Sequence, residues 1–404
     1  ILITLMLALS LLIGSGQTVQ AAAVDLASYI IVFNDTVNPA VEAPDVANAY
    51  GLQLGYIYQY AIKGMSAMVL AGRLEALRHD PRVAYVVEDM IRTVDAQTLP
   101  TGIRRIFADQ NVYIDIDASD DNRVDVDVAV IDTGIDLQHP ELNVVSSTSC
   151  LLYTGAGRQR TYYCGAGGDD DYGHGTHVSG TIAALDNGSG VVGVAPGARL
   201  WAVKVCDASG SCPTSAIIAG VDYVTQNADS IEVANMSLGG SGFNQAEYDA
   251  IQGAVNAGVA FAVSAGNSDA DTINYSPGGF DNVLSVSALA DYDGLPGSLA
   301  SPTCYSDVDD TLAGFSNWGS AVDVAAPGVC ILSSVPLEQG SYGIYNGTSM
   351  ASPHAAGALA LLASVNNPAN ATDVFNLYTI VKSAGNFDWV DDSGDGIKEP
   401  LLDV

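Results

Sequence analysis

Basic residues are scarce in this chain. Its 404 residues include 46 aspartates and glutamates against 14 lysines and arginines, a formal net charge of −32. Lysine occurs only at Lys63, Lys204, Lys382 and Lys398. A surface of that sign repels phosphate backbones and anionic lipid, which excludes nucleic acid and acidic membranes as partners. It fits calcium sites, or solvation in salty or acidic surroundings. No C-x-x-C pair occurs, so neither a zinc ribbon nor a dithiol redox motif is present. Internal repeats are also lacking, and no apolar run is long enough to cross a bilayer. The start, "ILITLMLALSLLIGSGQTVQAAA", is apolar for only about 14 residues before it turns to small residues, the pattern of a cleavable secretory signal. We read residues 1–23 as that signal, trimmed of its basic start and initiator methionine. The expectation is a secreted, extracellular protein with no stable membrane anchor, acting as a monomer.

What the chain does have is core-forming material, with 48% hydrophobic and 15% charged residues. Its six cysteines suit an oxidising compartment. Cys150 and Cys164, then Cys206 and Cys212, flank short polar or glycine-rich loops, and Cys304 and Cys330 bracket a longer Asp-rich one. These spacings suggest that neighbours in sequence pair.

Two regions differ in pattern. Residues 28–93 read as a small α+β unit: strand "SYIIVF", helix "PAVEAPDVANAYGL", short strand "AMVL", then helix, turn and strand in "GRLEALRHDPRVAYVVED". The polar "TVDAQTLPTG" reads as an exposed linker. From Asp125 onward, strands ("DVDVAVID", "RLWAVKVC", "IEVANMSL", "VAFAVSAGN") alternate with helices ("HGTHVSGTIAALD", "TSAIIAGVDYVTQNA", "NQAEYDAIQGAVNAG"). Short apolar strands between helices predict an α/β fold: a doubly wound, mostly parallel sheet with helices on both faces. Reactive loops in such sheets lie beyond the carboxyl ends of the strands, where Asp132 and Asn267 fall. The tail "DWVDDSGDGIKEPLLDV" reads as an acidic loop.

Within "NGTSMASPHAAGALALLAS", Ser349 stands at a helix N-terminus, where free N–H groups favour developing negative charge. Its own N–H is placed to hold an oxyanion. Taken alone, capping is the commoner role for such a serine. Ser352 lies a turn further in beside Pro353, which sits near enough to the first turn to be tolerated. His354 is five residues on, about 140° around the helix, and cannot readily serve Ser349. A base must come from elsewhere. "DDDYGHGTHVSGT" presents His174 between glycines at a helix start, while His177 points to a structural role. Asp132 closes an apolar strand, where a carboxylate needs a partner; it is the candidate to orient the imidazole, with Asp136 in reserve. Asp125 and Asp127, before that run, read as solvated. Asn267, on a Gly-Asn turn, can aim its amide at the same oxyanion.

Together "VAVIDTGID", "GHGTHVSGTIA", "ANMSLGG", "SAGN" and "NGTSMASPHAAG", in Asp–His–Ser order, resemble the subtilisin-like serine peptidases, particularly the proteinase K-like secreted branch. The resemblance spans roughly residues 100–385. It implies a secreted serine endopeptidase of subtilisin-like fold, with polypeptide substrates and no cofactor for its chemistry. Asp132, His174 and Ser349 would be the triad and Asn267 the oxyanion donor. Ser237, Leu238, Gly239 and Gly240 would pair with substrate as an added strand, and Ser264, Ala265 and Gly266 would complete the substrate site. Residues 28–93 resemble an inhibitor-type propeptide, mainly through "DPRVAYVVED". This implies domains 1–23 (signal), 24–96 (propeptide, an intramolecular chaperone and inhibitor) and 97–404 (peptidase with acidic tail), with self-cleavage near Ala96–Gln97. The tryptophan common early in mature relatives is replaced by "LPTGIRRI". The family also implies structural calcium, and "DDSGDG" offers Asp391, Ser393 and Asp395 as ligands, without the glutamate that completes an EF-hand. An α/β-hydrolase esterase would show G-x-S-x-G and a histidine well after the serine, and neither occurs. The competing reading is a catalytically silent, peptide-binding relative.

Overall fold

A computed structural model describes residues 26–89 and 96–404. The signal read over 1–23 lies outside the described residues. The chain divides into two compact units, residues 1–94 and 95–404.

The first unit runs β1 (Leu26–Phe33), α1 (Pro39–Tyr50), β2 (Gln53–Tyr58), β3 (Gly64–Leu70), α2 (Ala71–Arg78) and β4 (Val83–Glu88). Its antiparallel sheet has the order β2-β3-β1-β4. Asn38 caps α1 by accepting from Ala40 N–H, Pro39 opens the first turn, and Gly51 closes it at φ 63°. Ile31, Val46, Met65, Val69 and Leu77 form its core. The sequence reading missed β2. "QLGYIY" breaks its alternation at a register shift between Leu54 and Ile57, where Tyr56 N–H donates to Ser66 Oγ rather than to the ladder.

The second unit contains α3 (Thr101–Arg105), β5 (Asp127–Asp132), β6 (Val144–Thr154), β7 (Thr161–Gly165), α4 (His174–Ala183), β8 (Arg199–Lys204), α5 (Thr214–Gln226), β9 (Val233–Met236), β10 (Gly240–Ser241), α6 (Gln245–Asn256) and β11 (Ala260–Ser264). There follow β12 (Tyr275–Ser276), β13 (Leu284–Ala290), β14 (Thr311–Leu312), β15 (Val324–Pro327), β16 (Ile331–Ser334), β17 (Tyr342–Tyr345), α7 (Thr348–Val365) and α8 (Ala371–Ala384). The main sheet has the order β14-β13-β11-β9-β5-β8-β6-β7, with β15 also on β13. It is parallel except where β7 joins β6 and β14 joins β13. Helix α4 packs on α7 and α5 on α6, and helices cover both sides of the sheet. The doubly wound expectation holds. Val128–Ile131, Val233–Met236 and Ala260–Val263 are wholly buried, as expected of central parallel strands.

Three sequence expectations change. Asp127 is buried, because Arg199 and the Trp201 indole (2.6 Å) both donate to its carboxylate; Asp125 is exposed as expected. The presumed linker is tied down from Gln97. Its backbone bonds to Gly188 O, Thr98 bonds to Gly190 O, and its side chain bonds to Asp186 and to Asn187 and Gly188 N–H. The acidic tail is not a free loop: Trp389 and Leu401 pack with Leu289, Leu312 and Ala325. All six cysteines pair in sequence order, Cys150–Cys164, Cys206–Cys212 and Cys304–Cys330.

Candidate active site

Asp132 ends central strand β5 and is 1% exposed. The chain leaves sharply through Gly134, at φ 109°, where any Cβ would lie 2.6 Å from Gly168 O. That exit admits the first turn of α4, and a Cβ at Gly175 would strike Gly134 O at 2.1 Å. His174, first residue of α4, is thereby held against the strand end, with Nδ1 2.8 Å from Asp132 Oδ1. Burial works against a charged imidazole. The Asp132 carboxylate, its hydrogen bond and the more distant Asp170 outweigh that, and the pKa of His174 is raised above its ordinary value. Its ring stays 22% exposed, open to the cleft.

The sequence reading passed over Asp170. Of the three carboxylates in "DDDYGHGTH", only this one is deeply buried. It accepts from Thr133 Oγ1, from Tyr172 and Gly173 N–H, and from both N–H and Oγ1 of Thr176. Thr133 Oγ1 accepts in turn from Gly175 N–H. This network fixes the start of α4 to the end of β5. An Asp four residues before a glycine-flanked histidine was the available signal.

Ser349 sits in the first turn of α7, after Gly347. Its hydroxyl donates to Ser237 O at 3.0 Å, and no hydrogen bond joins it to His174 in this arrangement. The two side chains line one cleft with Asn267. Asn267 has its orientation dictated: Thr348 N–H (2.8 Å) and Thr348 Oγ1 (2.9 Å) both donate to its Oδ1. Nδ2 therefore faces away from Thr348, and it has no partner among the described residues. Ser349 N–H is likewise unused. Two donors are left free beside the serine hydroxyl.

Pro353 lies just beyond the first turn of α7, and its ring removes the N–H that would bond Ser349 O. Ser237 Oγ–H takes that place, donating to Ser349 O at 2.8 Å. Asn235 Nδ2 donates to Ser237 Oγ, and Ser352 Oγ–H donates to Asn235 Oδ1 at 2.7 Å. Ser352 is thus a buried tie between helix and sheet. His354 is buried with Nδ1 against Met350 O, and burial lowers its pKa to about 4. His177 is buried, stacks on Tyr345 and has a pKa lowered by burial to about 3. Asp136 accepts from Gln138 and Leu337 N–H and takes no part in the cleft.

Ser237–Gly239 run without a strand partner and lead into β10, where Gly240 pairs with Ser276. Gly240 therefore already has one edge occupied. A cleft of about 490 Å³ is lined by Leu238, Gly239, Gly240, Ser264, Ala265, Gly266, Asn267 and Ser349. All the residues singled out for substrate contact except Ser237 line this space. Ser237 lines a second cleft on the far side of the same segment.

Asp391, Ser393 and Asp395 do cluster. Ser393 N–H donates to Asp391 Oδ1, Ser393 Oγ meets Asp395 Oδ1 at 3.1 Å, and Asp395 Oδ2 is buried without a hydrogen-bond partner. Such an orphaned oxygen in a hard-oxygen set fits calcium. A second acidic group, Asp291, Asp293 and Asp309, brings carboxylate oxygens within 4.8 Å of one another. There the buried Arg105 already supplies a cation, 3.1 Å from Asp291 and 2.8 Å from Asp310.

Compared with known proteins, residues 124–397 match the model of the subtilase family, peptidase S8. Over 373 residues the chain is 37% identical to subtilisin J of Geobacillus stearothermophilus, covering 90% of this chain and 88% of that one. It is 36% identical over 381 residues to alkaline serine exoprotease A of Vibrio alginolyticus, covering 88% of this chain and 64% of that one. The crystal structure of a cold-adapted subtilisin-like serine proteinase superposes with a TM-score of 0.58 at 35% identity, over 75% of this chain and 97% of that one.

Proposed function

The chain belongs to the subtilase family and is a serine endopeptidase acting on polypeptides, and from that premise we propose that Asp132, His174 and Ser349 carry out the cleavage. A rotation about the Ser349 side chain exchanges the bond to Ser237 O for one to His174 Nε2. Apo hydroxyls commonly need such tightening in the substrate complex. His174 takes the hydroxyl proton as Oγ attacks the scissile carbonyl, and Asp132 holds the ring in the required tautomer and stabilises its charge. The oxyanion forms between Asn267 Nδ2 and Ser349 N–H, donors that need no reorganisation. His174 then gives its proton to the leaving amine, and water repeats the sequence on the acyl-enzyme. The chemistry needs no cofactor. The carrying observation is the 2.8 Å bond from buried Asp132 to a histidine that still opens onto the serine's cleft.

The same reading makes residues 24–96 a propeptide that inhibits the enzyme until self-cleavage near Ala96–Gln97, after export directed by residues 1–23. The compact first unit and the anchoring of Gln97 and Thr98 support it. Asp391, Ser393 and Asp395 would hold a structural calcium.

Intact mass of purified protein tests this directly. Wild type is expected to lose a fragment ending near residue 96 while Ser349→Ala stays full length. If both stay full length, the self-cleaving reading fails. If both are cut at the same bond, maturation belongs to another protease.

A further inference from the structure

The cleft on the far side of the Ser237–Gly240 segment holds a group that the proposed mechanism does not use. This space, about 440 Å³, is lined by His174, Ile217, Leu238, Gly240 and the Cys206–Cys212 disulfide, with Glu247 among its walls. Glu247 is 4% exposed and stands in the first turn of α6, where "NQAE" has the form of a capping box. Half of that box is made: Asn244 Oδ1 accepts from Glu247 N–H at 3.1 Å. In the other half a glutamate reaches back to the capping residue's N–H, but Asn244 N–H is committed to Ser276 Oγ at 2.9 Å. The Glu247 carboxyl lines the cleft without a hydrogen-bond partner among the described residues, and burial alone lifts its pKa to about 7. The other titratable groups lining the cleft are Asp132, Tyr172 and His174; no lysine or arginine lines it.

An uncompensated buried carboxyl is costly, and an opposite charge that enters with a ligand relieves the cost. Ile217 and Leu238 supply aliphatic surface beside Glu247 in an otherwise polar and glycine-rich lining, so the matching group has an apolar stem and a cationic head. We propose that Glu247 is a specificity-determining residue, making this cleft a subsite for a lysine or arginine side chain of the polypeptide substrate. That side chain sits away from the scissile bond, on a peptide strand paired along Ser237–Gly239. The inference rests on the peptidase reading above, in which this segment binds substrate.

The test moves a single lysine one position at a time through a peptide of otherwise fixed sequence, with norleucine as the uncharged control, at pH 8.5. Wild type is expected to show one position at which lysine raises kcat/KM by about tenfold or more over norleucine. In Glu247→Gln that ratio falls to about one. Thr214→Lys, which brings a rival ammonium to a half-buried position of the same cleft, lowers it too and serves should the Gln variant not fold. A wild type without a lysine-preferring position, or a preference that survives in these variants, overturns the proposal. A wild type that cuts no peptide contradicts the peptidase reading instead, so the two failures are distinct.

Discussion

As the proposed base, His174 stands between two opposed demands. Its ring would have to be neutral to accept the serine proton, yet the carboxylates around it outweigh burial and raise its pKa above the ordinary value. The consequence for activity is an acid limb in kcat/KM lying above pH 6.5, with activity falling about tenfold per pH unit below it. A limb at or below pH 6.5 would show that Asp132 and Asp170 do not govern the base. Stability runs the other way. A histidine whose folded pKa is raised contributes stability that is complete at low pH and lost as pH rises through the folded value. The conditions that switch the base on thus remove one of its reasons for staying in place. Asp132 and Asp170 must hold the ring by geometry as well as charge, which their hydrogen bonds to it and to the start of α4 accomplish.

Helix α7 shows what one element can carry. Its proline unties a carbonyl, and Ser237 collects it. Ser237→Ala would leave Ser349 O and Asn235 Nδ2 without their partner in a buried setting. Such losses cost about 1–3 kcal/mol. The expected result is a lower denaturation midpoint together with reduced kcat/KM; a midpoint unchanged within error would mean that water replaces the hydroxyl at no cost. The same helix marks the limit of reading from sequence. Ser349, His174 and Asp132 were legible because each sits where a periodic run stops: at a helix start, between glycines, or at a strand end. The four buried strands and their intervening helices were legible for the same reason. The compensation for Pro353 was not, because Ser237, which collects the freed Ser349 carbonyl, lies 112 residues from Ser349. Asp127 was misread likewise, since Arg199 and Trp201 reach it only through the pairing of β5 with β8. The placing of β13 and β15 in the sheet depends on contacts of that long-range kind. Glu247 follows the same rule, as its capping box looks complete until Ser276 takes the bond.

At the scale of the whole molecule, acidity is the constraint. A net charge of −32 disfavours compactness through self-repulsion. Cations offset it locally: buried Arg105 joins Asp291 and Asp310, and the partly exposed Arg199 joins Asp127. A calcium at Asp391, Ser393 and Asp395 would do the same for the tail. Calcium at about 100 times its dissociation constant would stabilise the fold by about 2.7 kcal/mol. Chelation should then lower the midpoint by a few degrees, and Asp395→Asn should abolish the difference between calcium and chelator. An equal calcium effect in that variant would place the ion elsewhere.

The hydrogen bond from Ser237 to the Ser349 carbonyl has one more consequence. The residue proposed to attack and the segment along which a peptide would lie are fastened by a side-chain-to-backbone bond, with Asn235 and Ser352 bracing the joint. Blade and guide rail are one part. Breathing of helix against sheet moves both together, so the distance from hydroxyl to bound carbonyl is set by a local fastening rather than by the rigidity of the whole molecule.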